Sequence, residues 1–397
     1  MIVIAFRSCE RCSRTETQDE CRVRYLAIAH NVVKSAHPLG DLAIAPSGLI
    51  PLLMTDVILA ARPLGFPWAT RDPFLFCVHH LDHYPQGNGK LGPDASLAGR
   101  RIGMDFDGKD GWSMYHGDVI PGFPRHPHRG FETITIARQG YIDHSDSLGA
   151  TARFGHGDLQ WMTAGEGVVH SEMFPLLDDE APNTVELFQI WLNLPSHSKL
   201  TDPFFTMFWK PQMPRRHFDE GGPTDVVLYT GHLEGFGEPP PPPPGSWASQ
   251  PETDVAIAAI TLGPGARWTI PPGREGLHRS LYFFRGSAVV VGDARAEDHA
   301  ALDVRPELPA ALHNPGDDEV EILMLQGKPI TEPVAHHGPF VMNSRAELQQ
   351  AFADFQETGF GGWPWDTDGP AHARDAGRFA IHADGREERP PEEEAAE

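Results

Sequence analysis

The stretch GFPRHPHRGFET, residues 122–133, decides how this chain reads. His126 and His128 stand two apart, and on an extended strand residues i and i+2 share one face. Counting on at the same parity reaches Glu132. A second stretch, GDLQWMTAGEGVVHSEM (157–173), repeats the device with His170 and Glu172. Two such pairs on neighbouring strands bring three imidazoles and one carboxylate together. That donor set suits Fe(II), Mn, Ni, Cu or Zn, and a six-coordinate ion would keep two positions open. A lone H-x-H arises by chance, and histidine-rich loops are often simply solvated. The second pair, with a Gly-rich turn before each, moves the reading to a metal site. Glu132 has three readings: a further ligand, a residue holding a ligand histidine from behind, or a buried structural carboxylate.

Outward from these motifs the pattern is β. Runs such as TITIA (133–137) and VELFQIWLNL (185–194) are β-branched and aromatic, and Gly, Asp and Pro turns separate them. Short strands at that rhythm signal an all-β sandwich or barrel. RQGYIDHSDSLG (138–149) reads as a hairpin followed by a second turn. After six prolines in EPPPPPPGS (238–246) a second β set begins, with VAIAAITL (255–262), SLYFFRGSAVVVGD (280–293) and VEILMLQG (320–327). Proline donates no backbone hydrogen bond, so 238–250 reads as a linker or surface loop. The two β sets form a weak internal repeat. The one clear helix spans 344–358, with Ser344 and Glu347 as a capping box and Gly359 as the stop. Leu348, Ala351, Phe352 and Phe355 form its apolar stripe.

The composition narrows the function. In 397 residues, 32 Lys+Arg against 55 Asp+Glu give a net charge of −23. Such a chain is a poor direct partner for nucleic acid or an anionic membrane surface. Seven acids and two arginines fall in Asp384–Glu397, so 381–397 reads as a solvated acidic tail. The four cysteines (Cys9, Cys12, Cys21 and Cys77) make no disulfide framework, and the C-x-x-C at 9–12 finds no fourth zinc ligand at regular spacing. The expected compartment is the cytoplasm. The apolar run 42–61 is broken by Pro46, Pro51 and Asp56, which argues against a membrane span. Residues 1–53 read as an extension, disordered or arising from a mis-assigned start. Modules are expected at 54–237 and 251–380.

HPHRGFET, then HSDSLG (144–149), then GDLQWMTAGEGVVHSEM resemble the pirin family of bicupins. DPFLF (72–76) and GPFVMNSRAELQQAFADFQ (338–356) extend the resemblance over about residues 55–380. It implies an all-β fold of two jelly-roll cupin β-barrels packed as a bicupin. It also implies one mononuclear metal, usually iron, held in the N-terminal barrel by His126, His128, His170 and Glu172. The usual cupin pattern would take its carboxylate from the first motif, at Glu132; the pirin pattern takes it from the second. The C-terminal barrel has no H-x-H. Its histidines (His278, His299 and His313) are scattered, so no metal is expected there.

Three functions follow from the resemblance and the residues. Some pirin-like proteins resemble quercetin 2,3-dioxygenases, in which O₂ cleaves a flavonol heterocycle and carbon monoxide leaves. Glu172 would then be the candidate base, and the partners a small aromatic substrate and O₂. Pirins also resemble redox-sensing iron proteins that regulate a protein partner. The third reading is a structural metal, but such sites are normally closed, often by cysteine. Glu132 and Gln160 are the candidates to hold the ligand histidines from behind. By strand parity Phe131 and Met162 are expected to pack outside the pocket. A monomer is expected.

Overall fold

The structure is a computed structural model and describes residues 56–392. The extension 1–53, the cysteines at 9, 12 and 21, most of the apolar run 42–61 and the last five residues lie outside the described residues.

The chain runs through β1 (Ile58–Pro63), β2 (Phe74–Tyr84), β3 (Gly122–His128), β4 (Phe131–Gln139), β5 (Tyr141–Asp146), β6 (Thr151–Gly155), β7 (Asp158–Thr163), β8 (Val168–Met173), β9 (Asn183–Asn193) and β10 (Phe204–Phe208). There follow β11 (Arg215–Phe218), β12 (Thr224–Thr230), β13 (Ala256–Leu262), β14 (Arg267–Ile270), β15 (His278–Arg285), β16 (Val289–Val291), β17 (Ala294–Ala296), β18 (Ala300–Val304), β19 (Ala310–His313) and β20 (Val320–Gly327). A short hairpin of β21 (Ala335–His337) and β22 (Phe340–Met342) leads into helix α1 (Arg345–Thr358), and β23 (Phe379–Ile381) and β24 (Glu387–Glu388) end the described chain.

Two antiparallel double sheets result, each with jelly-roll character. In the first module the sheet β10-β7-β4-β9-β2 faces the sheet β24-β23-β6-β5-β8-β3. In the second, β1-β18-β15-β20-β13-β12-β11 faces β14-β19-β16-β17. The interior of the second is packed with apolar side chains such as Leu228, Ile260, Leu281, Phe283 and Met324.

The modules join through the outer face of the five-stranded sheet. Ile134, Ile136, Trp161, Phe188 and Ile190 pack there against Tyr229, Ile257, Tyr282, Phe284 and Leu323 of the second module. Strands β4, β7 and β9 are therefore buried on both faces, which is why VELFQIWLNL is nearly continuous in its apolar residues. A charge cluster crosses the same boundary. Arg138 and Arg285 both bond Glu186, at 2.6 and 2.8 Å, and both also bond Glu321. His79 adds a contact to Glu186 at 2.9 Å.

Space is not divided as the sequence boundaries at 237 and 251 suggested. β1 pairs with β18, and β11 and β12 join β13, so three strands from before the prolines belong to the second double sheet. In return β23 pairs with β6, and α1 and the β21–β22 hairpin pack on Val169 of β8. β1 thus covers the outer edge of β18, β12 that of β13 and β23 that of β6. The acidic end also differs from a fully solvated tail: Glu387–Glu388 pair with β23, and Arg386 bonds Glu388 at 2.8 Å. The helix starts and stops as its caps require. Ser344 accepts from the Glu347 amide, and Gly359 takes the left-handed conformation.

Arg138 tests the inter-module cluster. Its side chain is 19% exposed and Glu186 is 1% exposed. Arg138→Ala leaves buried carboxylates short of a cation and should cost about 3 kcal/mol in urea unfolding. A loss under about 1 kcal/mol, typical of a surface pair, would contradict the role given to it.

Candidate metal centre

β3 ends its sheet, with β8 on one side only. An edge strand tolerates proline, so Pro124 and Pro127 can interleave with His126 and His128. A register shift between Phe123 and His126 re-aims the strand, and His126 comes to lie opposite His170 on β8. The ring centroids of His126 and His170 are 4.4 Å apart, those of His128 and His170 4.9 Å, and those of His126 and His128 4.8 Å. One donor atom from each lies within 4.8 Å of the others, the one such group among the described residues.

The hydrogen bonds leave this group ready for a cation. His126 Nδ1 sits 2.9 Å from the Pro124 carbonyl, and His128 Nδ1 3.3 Å from the Pro339 carbonyl. A carbonyl only accepts, so each Nδ1 carries the proton and each Nε2 keeps its lone pair. His170 is fully buried with neither ring nitrogen partnered. Burial holds all three imidazoles below their ordinary range, His126 at about 4. Neutral, unpartnered, convergent imidazoles are what a divalent metal requires.

Glu172 stands apart from the three-histidine group. It lies opposite Phe123 on β3 and His144 on β5. The Thr135 hydroxyl is 2.8 Å from its Oε1, and Gln189 Nε2 donates to its Oε2 at 3.1 Å. Thr135 Oγ1 also lies 2.5 Å from Gln189 Oε1. A hydroxyl has one proton, so the ring Glu172–Thr135–Gln189 closes fully when Glu172 is protonated. Burial raises the Glu172 pKa, partly offset by these bonds. A proton on this carboxyl has an acceptor ready in Thr135 Oγ1.

The parity count from His128 to Glu132 fails because the chain turns at Arg129 and Gly130 before β4 begins. Gly130 has φ 84°, and a Cβ there would stand 2.0 Å from the Val341 carbonyl oxygen. Glu132 consequently shares a face with Ile134 and Ile136, away from the histidines. Its carboxyl accepts from Thr163 (2.7 Å), Trp161 (3.2 Å) and Ser246 (2.6 Å), and burial raises its pKa to about 7. It is the structural carboxylate of the three readings, holding the end of the proline segment, and it supports no ligand histidine. Gln160 does face inward, but its amide oxygen and nitrogen are both unpartnered, so it holds no histidine either.

Phe131 and Met162 also depart from expectation. Phe131 packs on the His128 ring at 5.0 Å and on Trp191 at 4.3 Å. Met162 clusters with Val168 of the opposite sheet. Both face the interior: Phe131 because the turn at Arg129–Gly130 resets the count, Met162 because it shares the parity of Gln160 on β7. Three site residues escaped the sequence reading: Thr135, Gln189 and His144. His144 is fully buried, stacks on Phe205 at 4.9 Å and lies 5.6 Å from His170. Its one signal was its place in the hairpin strand beside the H-x-E strand. In the second module His278 bonds the Asp72 carbonyl and His299 the Gly286 carbonyl.

Two family models match the chain: Pirin over residues 98–192 and the pirin C-terminal cupin domain over 257–361. The chain is 34% identical over 251 residues to a Pseudomonas aeruginosa protein provisionally named a quercetin 2,3-dioxygenase, covering 60% of this chain and 80% of that one. It is 32% identical over 244 residues to human pirin, covering 59% and 76%. The solved quercetin 2,3-dioxygenase of Acinetobacter baumannii superposes with a TM-score of 0.59 at 27% identity, covering 77% of this chain and 98% of that one.

The buried imidazoles set a pH dependence. Their folded pKa values lie below the unfolded value near 6.5, so as pH falls below about 6.5 the unfolded chain takes up protons that the folded one refuses. Metal-free protein should therefore lose stability, relative to His170→Leu, by up to about 1.4 kcal/mol per pH unit on acidification toward pH 4. Parallel urea-unfolding curves across that range would contradict the buried neutral state.

Proposed function

The chain belongs to the pirin family, and from that premise we propose that it is a mononuclear metal-dependent dioxygenase acting on flavonol-type substrates. The observation that carries this reading is the convergence of three imidazoles, with Glu172 two residues along the strand from His170. His126, His128 and His170 hold the metal, Fe(II) first among the candidates, through Nε2 of His126 and His128 and a free nitrogen of His170. Glu172 is the fourth ligand or the base. When bound, the metal supplies Lewis-acid polarisation and open positions for oxygen donors.

The chain's own residues do the rest. Glu172 receives the proton of the substrate's hydroxyl, and Thr135 and Gln189 fix the carboxyl on which it lands. Aromatic side chains flank the buried His128. Phe76 packs on Trp191 at 4.8 Å, and Trp191 lies 5.5 Å from the His128 ring and 5.8 Å from that of His336. Such walls suit a planar ring system and keep water from the reacting centre. The apolar interior of the second module supports a scaffolding role for it.

Anaerobic iron reconstitution followed by quercetin turnover in air tests the proposal. Loss of flavonol absorbance with carbon monoxide release is expected, absent in His126→Ala. Glu172→Gln should lose activity by at least about 100-fold, the range for a positioned acid–base group. Stoichiometric iron with no turnover would contradict the enzyme and favour a redox-sensing iron protein.

A further inference from the structure

The turn that carries His128 is gripped by residues from the far end of the chain. The β21–β22 hairpin, α1 and the following turn to Gly361 form an arm that leaves the second module and packs where β3 ends and against β8. Phe340 lies beside Arg129 as an isolated bridge, and the Val341 amide donates to the Arg129 carbonyl at 3.0 Å. Beneath the arm, Phe340, Met342, Leu348, Ala351 and Phe360 pack on Val169, the residue before His170.

Arg129 is the fastening. Its Nε donates to the Glu166 carbonyl at 2.5 Å, in the turn that launches β8. Its Nη1 donates to Asp354 Oδ2 of α1 at 2.5 Å, and its guanidinium lies over the Phe360 ring at 4.5 Å. Gln350 holds the other Asp354 oxygen at 2.7 Å. The Arg129 side chain is 10% exposed and Asp354 31%, so the guanidinium is shielded and the carboxylate is partly open to solvent. The fit is close: a Cβ on Gly167 would enter the Phe360 ring at 2.5 Å. One side chain thus ties both histidine-bearing strands to the arm, and the arm's Pro339 carbonyl fixes the His128 tautomer.

We propose that Arg129 and Asp354 are positioning residues for the metal centre, acting by docking residues 335–361 so that the Pro339 carbonyl presents His128 Nε2 to the ion. The inference rests on His126, His128 and His170 being the metal ligands. Coupling between two binding events is reciprocal. Whatever factor the docked arm adds to metal affinity, the metal adds to docking of the arm. Groups that orient a ligand histidine from behind commonly carry a ten- to hundred-fold effect on affinity.

Co(II) is the probe, in the full-length chain. Competition with a chelator gives the dissociation constant, ligand-field absorption reports the geometry, and hydrogen exchange reports the arm. Asp354→Asn should weaken Co(II) binding about ten-fold and alter the ligand-field bands, and Asp354→Glu should restore most of both. In the wild type, Co(II) should slow exchange across 335–361 by a matching factor, a readout that needs no variant. Wild-type binding that is unchanged in Asp354→Asn, or exchange in the arm indifferent to Co(II), overturns the proposal alone. No Co(II) binding by the wild type overturns the ligand reading beneath it.

Discussion

A sheet buried on both faces governs this molecule. Strand residues alternate sides with period two, so β4, β7 and β9 must serve two interiors at once. Ile134, Ile136 and Phe188 go to the boundary with the second module, while Thr133, Thr135 and Gln189 face the histidines. A slip of one residue would put isoleucines into the site and hydroxyls into the inter-module core. The Arg138–Glu186–Glu321–Arg285 cluster at the same boundary helps hold that register. The three-histidine group is therefore braced by a second module that, among the described residues, adds no side chain to it.

The other sheet is built for the opposite purpose. β3 is an edge strand rich in proline, shifted in register, and unable to order itself by pairing alone. Its stability comes from what covers it: Asp368 bonds the Arg125 backbone and side chain, and the 335–361 arm lies along Arg129. A long polypeptide path thus returns to secure a seven-residue strand. The apparent excess of chain after the second β set, one helix and several loops, is explained by this return.

Much of this was legible. Alternation and turn spacing gave the β class, and the two histidine pairs gave the three imidazoles that meet. The helix was readable because capping is local chemistry: Ser344, Glu347 and Gly359 act within one turn of it. What stayed hidden depends on long-range register. Glu132 and Phe131 were assigned by counting parity from His128, and that count does not survive the turn at Arg129–Gly130; Met162 lies on β7 and shares the inward parity of Gln160. Thr135 and Gln189 carry no spacing signal, since they meet Glu172 only across paired strands. The exchange of edge strands between modules leaves no mark near the prolines, because β1 and β12 look like any other strand.

On the function proposed, one divalent metal sits among His126, His128 and His170. Metal analysis of protein purified without added metal, joined to X-ray absorption at the edge of the metal found, tests it most directly. About one first-row metal ion per chain is expected, with imidazole nitrogens near 2.1 Å and one oxygen donor in the same shell. A metal-free protein that refuses first-row ions, or an ion bound without imidazole, would contradict it.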